Sequence, residues 1–391
     1  MLRRTLTSLA RAALLPVRNA EHWLLSGRAH QHYWQPVLNG AFGDQLAAQG
    51  DARAIALSFR RGGQDVPVAE LGLSEERQKT VVFVHGLMGD ELIWQAGPAD
   101  APGGPLRYGP RLAAEAGVRP LYVRYNSGRH ISENGRALSA LLTELVETYP
   151  QAVGELVLVG HSMGGLVIRS AGYYGALGNE QSAMSKEQLT NAEENAPKEL
   201  SIADYSLPLA GAPWLAHLRT VFLLGVPHEG SYLEQNSAAV ERLLRRLDVL
   251  PTRLLASEVF ARRSNGIKDL GAARLVDEDW LPLGPAADAH DAADSADAAG
   301  PPRPRTPVPL LPSVAYHVLV GTWLRAGRAQ ALRDYFGDGL VGTASGQGPS
   351  LAPDDTPLPP GTRLRTARFA AQHHTGLLRH EAAYQYLRRW L

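Results

Sequence analysis

The sequence predicts an α/β fold with a mostly parallel central sheet flanked by helices, and three observations carry that prediction. Short apolar runs recur at 80–84, 120–125, 156–159, 220–225 and 315–322. Each has the length and composition of a strand buried on both faces of a parallel sheet. Between them come stretches with helical spacing, most clearly Leu138, Leu141, Leu142, Leu145 and Val146, so strand and helix alternate as parallel sheets require. Third, the run 156–159 passes through Gly160-His161-Ser162-Met163-Gly164 into a new helical pattern at Leu166, Val167 and Ser170.

Residues 1–50 read as an N-terminal helical segment carrying Trp23, Tyr33 and Trp34 but no recognisable chemistry. Leu2, Leu6, Leu9 and Ala13 share one face there, with Arg3, Arg4 and Arg11 off it. That pattern suits a helix packed on its own domain, and equally a docked or membrane-surface helix making peripheral contact. The basic start reads as no secretory signal, because Arg11 interrupts the apolar stretch and no A-x-A site follows. No apolar run approaches the length of a membrane span.

Residues 51–391 form the α/β domain. Edge strands are expected at 54–59 and 66–69. The strand at 80–84 runs into His85-Gly86-Leu87-Met88-Gly89, and a Gly/Pro-rich loop over 96–110 leads to a helix over 110–116. The run 120–125 opens onto Asn126-Ser127-Gly128-Arg129-His130 at the carboxyl edge of the sheet, where ligand sites of open α/β folds gather. Arg124, Asn126 and Arg129 are candidates there for lining a site or for building a loop network. Ser132 is placed to cap the next helix, which ends near Tyr149-Pro150.

Two insertions interrupt the domain. Residues 178–213 are polar and lack periodicity, as an inserted loop with short helical pieces would be. The second covers about 233–312. It holds Val240, Leu243, Leu244 and Leu247, then Leu254, Leu255 and Val259 past Pro251, at helical spacing, and a shorter amphipathic pattern over 266–280. Its last part, 284–312, repeats Ala and Asp before turning Pro-rich, and is expected to be a surface loop with no buried face. Strands at 315–322 and 363–369 follow, then a closing helix with Tyr384, Leu387 and Trp390.

Composition narrows the chemistry. Apolar residues make up 45% of the 391, enough for a sizeable core. Lys plus Arg equals Asp plus Glu at 39 each, so charge points to no nucleic acid or other strongly charged partner. With no cysteine there is no disulfide, thiol nucleophile or thiolate metal site, which fits a reducing, cytoplasmic compartment. The residue pattern around Ser162 is more specific. A sharp strand-to-helix turn needs small residues two before and two after its apex, and it leaves the apex side chain exposed. The helix that follows aims its N-terminal amides at the place where an oxyanion would form.

The G-H-S-M-G-G wording, the HGLMG loop, the LGVPHEGS segment and the GDGLV and HHTGLL loops together resemble the α/β-hydrolase superfamily over roughly 80–391. Among its members the wording is most similar to lipase-like serine esterases of the PGAP-type and triacylglycerol-lipase kind. The resemblance implies an α/β-hydrolase fold with a helical cap insertion over the site and Ser162 as nucleophile. It implies an oxyanion hole from the amides of Leu87 and Met163. The acid would be Asp338 in Gly337-Asp338-Gly339, with Asp334 as rival in the same segment. The base comes from the loop after the last strand: His374 stands three residues before Leu377-Leu378 as in lipase-like relatives, its neighbour His373 competes, and His380 is more distant. His85, His161, His228 and Ser231 are the substrate-pocket candidates, and Val226 stands where relatives often have threonine.

The implied reaction is hydrolysis of a small-molecule or lipid-like acyl ester through an acyl-serine, with no metal or organic cofactor. The same residues would serve an acyltransferase or thioesterase, and the fold alone does not choose between them. A non-enzymatic interaction protein of the same shape is the remaining alternative.

Overall fold

The computed structural model describes residues 27–95, 107–188, 211–230, 263–280, 305–322, 341, 343–352, 356–370 and 374–391. The expectations for residues 1–26, the 233–260 helices, Ser231, Asp334, Asp338 and His373 lie outside the described residues.

Eight strands, β1 (Ser58–Arg61), β2 (Gln64–Val66), β3 (Gln78–Val84), β4 (Arg119–Arg124), β5 (Val153–His161), β6 (Leu218–Leu224), β7 (Ala315–Thr322) and β8 (Arg363–Ala370), form one sheet. Their order is β2-β1-β4-β3-β5-β6-β7-β8. Every neighbouring pair from β4 to β8 is parallel, whereas β1 runs antiparallel to both β2 and β4. The described α-helices are α1 (Gly27–Ala48), α2 (Tyr108–Ala116), α3 (Ile131–Thr148), α4 (Met163–Gln188), α5 (Asn265–Ala272), α6 (Thr343–Gln347) and α7 (Glu381–Trp390), and short 3₁₀ turns accompany them. This is the mostly parallel central sheet flanked by helices expected from the sequence.

The central strands are apolar at successive positions because both faces are covered. Val82, Leu158 and Leu223 point into one core with Leu138 and Leu142 of α3 and Leu166 of α4. Their neighbours Val81, Phe83, Val157 and Phe222 point into the other, with Leu112 of α2 and Tyr384 and Leu387 of α7. Side chains alternate across a strand, so a run with no polar interruption is what a doubly covered sheet demands. The chain leaves β3 toward β4 and leaves β5 toward β6, in opposite directions along the sheet. The direction of chain progression thus switches between β3 and β5, and ligand sites of open α/β sheets gather at the carboxyl edge of such a switch.

Several boundaries differ from the expectation for physical reasons. The early strands fall at Ser58–Arg61 and Gln64–Val66 because Gly62 and Gly63, with φ of 58° and 79°, form the two-residue hairpin between them. Ser132 is not the cap of α3. His130 holds that position, its N–H donating to Glu133 Oε2 at 3.1 Å, while the buried Ser132 hydroxyl accepts from Trp280 Nε1 at 3.1 Å. The helix after Ser162 does break at Gly178, where φ is 80° and ψ 164°, but then resumes to Gln188. The end of the Pro-rich stretch is no bare surface loop: Val308 and Leu310 are buried, and the Val308 carbonyl accepts from Arg169 Nη2 at 2.9 Å. An extended Pro-rich chain still presents alternate side chains to one surface, and here those are apolar.

Two further features bear on the site. Helix α1 belongs to the core of the domain, with Val37, Ala41 and Phe42 buried beside Met88 and Tyr125. Helix α5, capped by Ser264, returns the chain to the core: Gly230 (φ 91°) lies so close to it that a Cβ there would fall 2.1 Å from the Gly271 carbonyl oxygen. Among the described residues no helix is long and apolar enough to cross a membrane.

Candidate active site

Ser162 stands between the end of β5 and the start of α4, and it takes the left-handed conformation with φ of 53°. A non-glycine residue there is strained by roughly 1–2 kcal/mol, so the surrounding packing must impose it. The packing is visible on both sides of the turn. A Cβ at Gly164 would lie 2.3 Å from the His85 carbonyl oxygen and 2.5 Å from that of Val84, and one at Gly86 would lie 3.0 Å from Ser162 Cβ. The turn after β5 is therefore pressed directly onto the end of β3, and at Gly164 only glycine fits. The Ser162 amide is spent on the sheet, donating to the Leu224 carbonyl at 2.9 Å.

The loop after β3 is a four-residue turn closed by the Gly89 N–H donating to the Gly86 carbonyl at 3.2 Å. Met88 occupies its third position with φ of 56°, the left-handed geometry a type II turn requires there. Ser127 fixes it from the loop after β4, its hydroxyl accepting from the Met88 N–H at 3.0 Å. The Leu87 N–H makes no hydrogen bond among the described residues.

His85 holds this loop to the sheet. Its Nδ1 donates to the Gly86 carbonyl at 2.8 Å and its Nε2 accepts from the Tyr125 N–H at 3.2 Å, which fixes the tautomer. The ring stacks on Tyr125 at 4.3 Å, and Tyr125 Oη donates to the His85 carbonyl at 2.9 Å. Complete burial pushes His85 down to about 4, so it stays neutral at pH 7. With both nitrogens engaged and no exposed surface, its position is that of a brace rather than a pocket wall.

His374 opens the 3₁₀ turn His374–Arg379 after β8 and is 5% exposed. It is brought to the elbow: the rings of His161 and His374 lie 4.8 Å apart, and His161 Nε2 approaches the His374 carbonyl at 3.2 Å. Behind His161 stands the buried Trp94, edge-on at 6.4 Å. His380, by contrast, is spent as the cap of α7, its Nδ1 accepting from the Ala383 N–H at 3.3 Å.

The remaining candidates fall elsewhere. His228 is buried against Arg169, whose Nη1 lies 3.5 Å from His228 Nδ1. Burial first, and the guanidinium second, hold that imidazole far below the usual histidine range. Val226, flagged from sequence, sits where a Cβ on Gly165 would come within 2.2 Å of its Cγ2, so its methyl groups wedge the first turn of α4. Arg124 pairs with Asp65 at 3.3 Å, Arg129 with Glu133 at 2.7 Å, and Asn126 Nδ2 donates to the Gly43 carbonyl at 2.8 Å. These three are engaged in the loop network. A cavity of about 450 Å³ lined by Arg60, Arg61, Arg119 and Glu91 touches neither Ser162 nor His374. Sequence reasoning missed Ser127 as the support of Met88 and α1 as a neighbour of the turn. Only the polar run 126–130 gave a local signal, and it does not reveal which hydroxyl meets which amide.

No protein-family model and no curated protein matches the sequence. Solved structures similar to this chain include the mature lipase of Bacillus licheniformis, at 14% identity, covering 86% of this chain and 97% of that one with a TM-score of 0.41. Lipase 1 of Pelosinus fermentans is 15% identical, over 80% of this chain and 98% of that one, TM-score 0.43. A Staphylococcus hyicus lipase is 14% identical, over 81% and 93%, TM-score 0.40.

Proposed function

We propose that this chain is a serine carboxylic ester hydrolase that cleaves lipid-like or medium-chain acyl esters through an acyl-serine intermediate. The observation that carries the reading is Ser162 in a left-handed turn between β5 and α4, with His374 packed on its neighbour His161 and Gly86 of the β3 loop against it. A hydroxyl placed at the apex of such a turn is the arrangement that nucleophilic acyl transfer uses.

In this reading His374 removes the Ser162 hydroxyl proton as the oxygen attacks the ester carbonyl. The negative charge that develops is met by the N–H groups of Leu87 and Met163, the latter at the positive end of α4. Asp338 orients the imidazole and stabilises its charged form. His374 then gives its proton to the leaving alcohol and takes one from the water that releases the acid.

Acyl transfer to an alcohol, or thioester cleavage, would use the same groups and differ only in the acceptor or leaving group. The test is hydrolysis of p-nitrophenyl esters from acetate to palmitate by the purified chain, beside Ser162→Ala. Turnover that disappears in Ser162→Ala supports the reading, and the optimum chain length reports the acyl group. No turnover, together with no labelling of Ser162 by a fluorophosphonate, would favour a non-enzymatic role.

A further inference from the structure

Helix α1 meets the Met88 turn through glycine. A Cβ added at Gly40 would lie 2.3 Å from Met88 Cγ and 3.1 and 3.2 Å from its backbone N and Cα. One turn on, the Gly43 carbonyl accepts from Asn126 Nδ2 at 2.8 Å, and a Cβ at Gly43 would overlap the Asn126 side chain at 1.8 Å. Gly128, in the same loop as Asn126, comes as close to the Asn39 carbonyl oxygen, 2.1 Å for its added Cβ. From the far side Ser264 Oγ donates to the Gly40 carbonyl at 2.7 Å. Helix α1 is thus locked in place against the loops after β3 and β4, the first of which borders the elbow.

What it presses on is a strained residue. Met88 holds φ of 56° without being glycine, with its amide tied to Ser127. An unsupported turn with an ordinary side chain at that position relaxes to a conformation with negative φ, which reorients the neighbouring peptides. Two contacts prevent this, the Ser127 hydroxyl on one side and the bare backbone of Gly40 on the other.

We propose that α1 is a working part of the active site, with Gly40 as a positioning residue that clamps Met88 in the left-handed conformation and thereby holds the Leu87 amide toward the developing oxyanion. The proposal rests on the serine hydrolase reading above and adds a role for the N-terminal helix, a segment with no chemical signature of its own.

The test uses the full chain and p-nitrophenyl butyrate. Gly40→Ala is expected to lower kcat about tenfold or more with KM within about twofold, as displacement of an oxyanion donor does. Adding Met88→Gly, which removes the obstructing side chain and accepts positive φ freely, should return kcat to within about threefold of the wild type. Should Gly40→Ala fail to fold, Met88→Ala and Met88→Gly decide. The clamp requires the glycine variant to be several-fold the faster, whereas a plain loss of packing makes glycine the equal or the worse of the two. A Gly40→Ala enzyme with wild-type kcat, or a loss that Met88→Gly does not restore, overturns the proposal. Because wild-type turnover and fluorophosphonate labelling of Ser162 are measured alongside, failure of the hydrolase reading is seen separately, as a wild type that neither turns over nor labels.

Discussion

His161 Nε2 lies 3.2 Å from the backbone carbonyl of His374, so the residue beside the candidate nucleophile fastens the loop that carries the candidate base. The consequence is a division of labour between two adjacent imidazoles. His161→Phe keeps the ring packed against Trp94 but deletes the bond, and should cost about 1 kcal/mol of stability and less than about tenfold in kcat. His374→Ala should cost about 10⁴-fold or more. Urea unfolding and p-nitrophenyl ester turnover on both variants measure this, and equal damage would give His161 a proton-transfer role.

Ser162 carries the strain of the elbow, so removing its side chain should relieve it. Ser162→Gly is expected to be inactive yet about 0.5–1 kcal/mol more stable than Ser162→Ala, since glycine adopts φ of 53° without penalty even after its larger unfolded-state entropy is counted. Thermal unfolding of the two variants should differ by about 1 °C in that direction. Equal stabilities would mean the turn is unstrained.

His317, stacked on Phe222 and bonded through Nδ1 to Tyr386 Oη at 3.0 Å, is pushed down to about 4 by burial and, less, by the nearby Arg365. Its folded value lies below the unfolded one, so below pH 6.5 the unfolded chain binds the proton first. The contribution of His317 is whole above pH 6.5 and drains away as pH falls toward 4. His317→Gln should therefore flatten the pH dependence of unfolding free energy between pH 6 and 4.5, by at most about 1 kcal/mol per pH unit. Parallel curves for variant and wild type would remove His317 from the acid response.

Asp269 is buried and joins α5 to the start of α3, accepting from His130 Nδ1 at 2.9 Å and from the Ile131 N–H at 3.0 Å. His130 is itself stacked flat on Trp280 at 3.8 Å. Asp269→Ala leaves that amide unpaired inside the protein and should destabilise by about 2–4 kcal/mol. Asp269→Asn, which keeps an acceptor for Ile131, should cost about half as much. Urea denaturation distinguishes them, and a neutral Asp269→Ala would show that α5 is held by its apolar face alone.

The strands and the elbow were legible because their signals are local. An uninterrupted apolar run, a glycine pair around Ser162 and a helical period lie within a few residues of one another. Caps and contacts between distant segments were not. Ser132 looks like a cap, and only the three-dimensional position of Trp280 shows that its hydroxyl is taken. The place of α1 was hidden for a related reason. The residues that meet the loops are Asn39, Gly40 and Gly43, which carry no hydrophobic stripe. Their message is the absence of a side chain, and that has meaning only once the opposing backbone is known. Val308 and Leu310 were obscured by the prolines around them, although an extended segment can bury every second residue as well as a strand does.

The contact between Gly230 and Gly271 has an architectural consequence. Gly230 and α5 lie against each other, so the described residues on either side of 231–262 are already close in space. Closing a loop whose ends already touch costs little more as the loop lengthens. By chain-closure entropy alone, a change in the length of that stretch is a weak constraint on the fold that joins its ends.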